Sequence, residues 1–94
     1  MADNEKLRES GEFSEELTGR ESERYLLLYN DDYHTFDYVI ECLVDICNLD
    51  TIQAEQCTFI VHFKGKCDVK KGSAGYLRPF REALARKGLK VTIE

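Results

Sequence analysis

At 94 residues, 43% of them hydrophobic and 11% aromatic, the chain is one small globular domain with a modest core. Its net charge of −5 is concentrated in residues 1–23, which carry eight acidic and three basic side chains, while the remainder carries ten of each. An acidic tail on a neutral body argues against nucleic acid as a partner, and the lack of an apolar run of spanning or signal-peptide length predicts a cytoplasmic protein with no membrane contact.

Past Met1, residues 1–22 hold only Leu7, Phe13 and Leu17 as large apolar side chains, so a flexible acidic arm is expected there. It is either a plain tail or a segment that a partner grips. Residues 23–94 form the expected folded domain. "RYLLLY" from Arg24 reads as a central strand. Thr35 offers an N-cap to a helix running to about Cys47, whose inward stripe is Phe36, Val39, Ile40, Leu43, Ile46 and Cys47. After "NLD", Asp50 caps a second helix, with Gln53 as the returning side of a capping box. This helix runs to about Phe63, buries Ala54, Cys57, Ile60 and Val61, and stops at Gly65.

"KCDVK", Lys66 to Lys70, is the next strand. "KGSAG" then leads into a third helix over Tyr76 to Lys87, with Pro79 in its first turn or at a kink. Gly88 ends it, and "LKVTIE" alternates as a strand should. The order β-α-α-β-α-β predicts an α+β two-layer sandwich, a three-stranded antiparallel sheet covered by helices on one face. The four cysteines, Cys42, Cys47, Cys57 and Cys67, form no CxxC pair and no zinc spacing. They read as reduced thiols, with Cys47 and Cys57 the better core candidates, and neither metal nor cofactor is expected. A thiol or zinc enzyme built on His34, His62 and a cysteine lacks a visible nucleophile and base pairing.

"LLLYNDDYHTFDYVIE" sets Asn30, Asp31 and Asp32 side by side where the first strand gives way to the first helix. Adjacent carboxylates repel unless a cation or several donors compensate them. Alone, such a cluster is usually a solvated turn, and a histidine near a helix end, such as His62 in "IVHFKGK", usually serves the helix dipole. The short link between the first two helices makes them antiparallel, however, and brings Asn30, Asp31, Asp32 and His62 to one edge of the domain. Phe36, Val39, Thr58 and Val61 would lie around them. An apolar pocket rimmed by oxygen acceptors and an imidazole suits an ammonium group with an apolar neighbour.

In "YNDDYHTFDYVIECL" and "IVHFKGK" the sequence resembles the ClpS adaptors of the bacterial N-end rule pathway, and the resemblance spans Tyr25 to Glu94. It implies a protein that is not an enzyme. It would bind substrates with N-terminal Leu, Phe, Tyr or Trp and hand them, as a monomer, to a Clp AAA+ unfoldase of the ClpA or ClpC type. Asn30, Asp31, Asp32 and His62 would hold the free α-amino group, and Phe36, Val39, Thr58, Val61 and Leu89 would line the side-chain pocket. The acidic arm would serve delivery. The chain departs from the family pattern at Phe36 and Thr58, where Met is usual, and at His34, where a small residue is common. These departures motivate an alternative, a regulatory module of the same fold that docks on an AAA+ partner without reading N-termini.

Overall fold

The computed structural model describes residues 22–94, so the expected acidic arm lies, but for its last residue, outside the described residues. Six elements follow in the expected order: β1 (Arg24–Tyr29), α1 (Phe36–Cys47), α2 (Thr51–Lys64), β2 (Lys66–Gly72), α3 (Ala74–Arg86) and β3 (Lys90–Ile93). The three strands form one antiparallel sheet in the order β2-β1-β3. β1 is central, and its inner residues, Leu26 and Leu28, are essentially fully buried. Reciprocal bonds at 2.8 and 2.9 Å between the backbones of Tyr25 and Glu94 fix the β1–β3 register.

A bulge interrupts the β1–β2 ladder, since Leu26 pairs with Lys70 and Leu27 with Asp68, leaving Val69 as the extra residue. The bulge lets Val69 pack into the core while Lys70 also reaches the helical layer. The Lys70 ammonium donates to the Cys47 carbonyl at 3.2 Å and lies 4.9 Å from the centre of the Phe80 ring. A cation is thus placed at the negative end of α1.

Each helix starts at a side-chain cap. Thr35 accepts from the Tyr38 amide at 3.1 Å, Asp50 from Gln53 at 2.8 Å and Ser73 from Tyr76 at 3.1 Å. The capping box at Asp50 is only half made, because the Gln53 side chain returns no bond. α3 begins two residues earlier than the sequence suggests, at Ala74, since Ser73 supplies a better cap than anything nearer Tyr76. Pro79 therefore stands inside the helix rather than in its first turn. β2 continues past Lys70 to Gly72 because β1 offers ladder partners as far as Arg24.

The core is a cluster dominated by Leu26, Leu28, Leu43, Leu77 and Leu84, all on one side of the sheet. Two expectations for it need correction. Cys42 and Cys47 are the buried thiols, whereas Cys57 is only half-buried. On α2 the inward positions are Ala54, Thr58 and Val61, and Ile60 is exposed. Thr58 tolerates burial because its hydroxyl donates to the Ala54 carbonyl at 2.7 Å within its own helix. Burial pushes the Cys47 thiol up to about 11, and burial with the adjacent Cys57 thiol pushes Cys67 up to about 12. Neither is poised as a nucleophile at neutral pH.

Candidate functional site

The Asn30 amide donates to the Gly65 carbonyl at 2.9 Å, and this bond ties the end of β1 to the end of α2. Gly65 adopts φ +95°, a left-handed conformation that suits glycine and lets the chain turn at that point. The start of α1 meets the end of α2 on the same edge, where the Phe36 ring stands edge-on to His62 with centres 5.1 Å apart. Antiparallel packing of the two helices thus delivers the arrangement expected from the short link.

A cavity of about 40 Å³ opens at this edge. Asn30, Asp31, Phe36, Val39, Thr58, Val61, His62 and Leu89 line it, which is eight of the nine residues singled out from the sequence. Asp32 does not. It is exposed to solvent. Leu28, Tyr29 and His34 also line the cavity; the first two were not anticipated there, and His34 entered the sequence reading as a departure from the family pattern beside the pocket. Leu28 was findable from strand alternation, being in phase with buried Leu26. His34 was findable from its spacing of three from Asp31, which suits a turn closed by a carboxylate.

Asp31 organises this turn. One carboxylate oxygen accepts from the amides of Tyr33 and His34, both at 2.8 Å, and the His34 Nδ1 lies 3.1 Å from each oxygen. Partial burial pushes the Asp31 carboxyl up, but the His34 and Tyr33 amides and the imidazole together hold it below the ordinary carboxylate value. The second oxygen has only the imidazole as partner among the described residues and retains acceptor capacity. His34 is itself held firmly. Its ring stacks on Tyr38 at 4.9 Å, Tyr38 donates to the Lys87 carbonyl at 2.7 Å, and Gly88 lies against the imidazole's far edge.

Chemically, the site joins an apolar wall of Val39, Val61 and Leu89 to a rim of acceptors from Asn30, Asp31 and His62. The enclosed part has room for roughly three waters, fewer than a large side chain displaces. Among the described residues no cluster of three or more His, Cys, Asp or Glu could hold a metal ion, and no helix is long and apolar enough to cross a membrane.

Comparison with known proteins bears on the family and the fold. The family model described as "ATP-dependent Clp protease adaptor protein ClpS" matches residues 20–92. The ATP-dependent Clp protease adapter protein ClpS of Thermosynechococcus vestitus is 34% identical over 65 residues, covering 68% of this chain and 69% of that protein. The fold matches the structure of Agrobacterium tumefaciens ClpS2 bound to L-phenylalaninamide with a TM-score of 0.73 and 21% identity, over 80% of this chain and 98% of the other. With its element order, antiparallel sheet and matched sequence over nearly all of the described residues, the chain belongs to the ClpS family of ATP-dependent Clp protease adaptors.

Proposed function

We propose that the chain reads the free N-terminus of proteins that begin with a bulky hydrophobic residue and delivers them to a Clp unfoldase of the ClpA or ClpC type. The observation that carries this reading is the meeting of Asn30, Asp31 and His62 at the mouth of an apolar cavity. An α-ammonium has three donors and needs three acceptors, and these side chains can supply one each. Asp32, outside the lining, adds negative potential that favours a cation at the mouth. Phe36, Val39, Thr58, Val61 and Leu89 receive the first side chain, and Leu, Phe, Tyr and Trp are the candidates. The related ClpS2 structure, bound to L-phenylalaninamide, supports such a ligand: an aromatic residue with a free amine.

In this reading the protein is an adaptor and carries out no chemistry of its own. It acts as a cytoplasmic monomer without a cofactor, and residues 1–22 are the segment that engages the unfoldase. Titration calorimetry with Leu-, Phe- and Ala-initiated peptides tests it, with the first two expected to bind and the third to bind at least tenfold more weakly. A second reading draws on the tightness of the cavity, about 40 Å³ with His34 and Phe36 on its wall. It treats the domain as a module that docks on the AAA+ partner without reading N-termini. Equal and negligible heats from all three peptides would support it over the first.

A further inference from the structure

Where the cavity ends, another apolar surface begins. α2 turns Ala54, Thr58 and Val61 into the core, yet it also carries Phe59, 50% exposed, and Phe63, 75% exposed. Four positions apart on a helix, the two share a face. Their rings stack with centres 6.2 Å apart and planes within 5°. This pair is joined to the site. Phe36, on the cavity wall, meets Phe59 edge-on at 5.2 Å, and His62, on the rim, meets Phe63 edge-on at 4.9 Å. An unbroken run of rings therefore leads from the cavity mouth along the solvent-facing side of α2. Single exposed apolar side chains are ordinary, but a contiguous aromatic strip adjoining a binding site is a contact surface in waiting.

We propose that Phe59 and Phe63 form a shelf for the third residue of the bound peptide, and that the shelf favours an aromatic or large aliphatic side chain there. The proposal rests on the reading of the site as an N-terminus reader. An extended peptide advances about 3.3 Å per residue and points successive side chains to opposite sides. With its first side chain in the cavity, the second turns to solvent and the third returns to the protein surface, about 7 Å from the first. The ring spacings are of the same order as this step, Phe59 lying 5.2 Å from Phe36 on the cavity wall and Phe63 lying 6.2 Å from Phe59. Substrate choice would then depend on two positions, with the cavity reading the first residue and the shelf the third.

Fluorescence anisotropy on the full chain tests this with two labelled peptides, Leu-Ala-Phe and Leu-Ala-Ser followed by a common sequence, and with their N-acetylated forms as controls. The wild-type protein is expected to bind the Phe peptide about three- to tenfold more tightly, the range of an aromatic pair contact. A Phe59→Ser/Phe63→Ser variant, checked for an unchanged thermal melt, is expected to lose that preference while binding the Ser peptide as the wild type does. Equal affinities in the wild type, or a preference that survives in the variant, would overturn the shelf and leave the N-terminus reading intact. If the variant keeps the preference but no longer binds a Clp unfoldase, the strip is a docking face for that partner and the shelf is wrong. Binding that ignores acetylation removes the underlying reading, and the shelf with it.

Discussion

At the scale of single residues, Asp31 holds the site together and is also its chief charge. Its carboxylate accepts two amides and the His34 imidazole, so it closes the turn whether or not a ligand is present. Asp31→Asn keeps the shape but removes the charge. Its peptide affinity should fall by about thirtyfold or more, the cost of losing a charged partner for a desolvated ammonium. The stability effect has a definite sign. A carboxyl held below its ordinary value in the folded state stabilises the fold above the ordinary range, and that contribution is lost as pH falls through the lowered value. Urea midpoints should therefore show the variant less stable than wild type at neutral pH, with the gap closing as pH falls through the lowered value. A gap that persists in acid would assign the effect to something other than the Asp31 charge.

At the scale of elements, the site is made by a hairpin of helices and two loops, and sequence revealed these unequally. The N-caps at Thr35 and Asp50, the apolar repeat of α1 and the stop at Gly65 were legible, and together they fix which ends of α1 and α2 meet. α2 was harder to phase. It is apolar on both faces, with Phe59, Ile60 and Phe63 outside and Thr58 inside, so periodicity pointed to Cys57 and Ile60 as inward when the structure buries Thr58. Neighbours in the turn were equally ambiguous, since adjacency in sequence does not say that Asp31 faces the cavity and Asp32 the solvent. The loop after α3 was recognised as a helix stop, but not as a support for the site. There Gly88 adopts φ +85°, and a Cβ would come within 3.1 Å of the His34 Nε2. Gly88→Ala should cost about 1–2 kcal/mol from the left-handed conformation alone. It should also displace the imidazole from Asp31, which the denaturation midpoint and the His34 side-chain NMR shifts would report. An unchanged midpoint would mean that the loop adapts freely and does not brace the turn.

At the scale of the whole molecule, the domain divides its surfaces. One side of the sheet is covered by helices and carries the core, and the cavity sits at the edge where β1 meets the α1–α2 pair. The cavity-lining residues all belong to the segment from Leu28 to Leu89, so binding and delivery should separate. Deleting residues 1–20 should leave peptide affinity within about twofold and stop substrate hand-off to the Clp partner in a reconstituted degradation assay. Normal degradation by the truncated chain would remove the arm from the mechanism. The central claim, that a charged N-terminus is read by Asn30, Asp31 and His62, is tested most directly by one comparison. Calorimetric titration of the full chain with a Leu-initiated peptide, free and N-acetylated, removes the charge and two donors while leaving the first side chain unchanged. The free peptide is predicted to bind about thirtyfold to several thousandfold more tightly, corresponding to about 2–5 kcal/mol for a buried charged partner. Equal affinity for the two peptides would contradict the account.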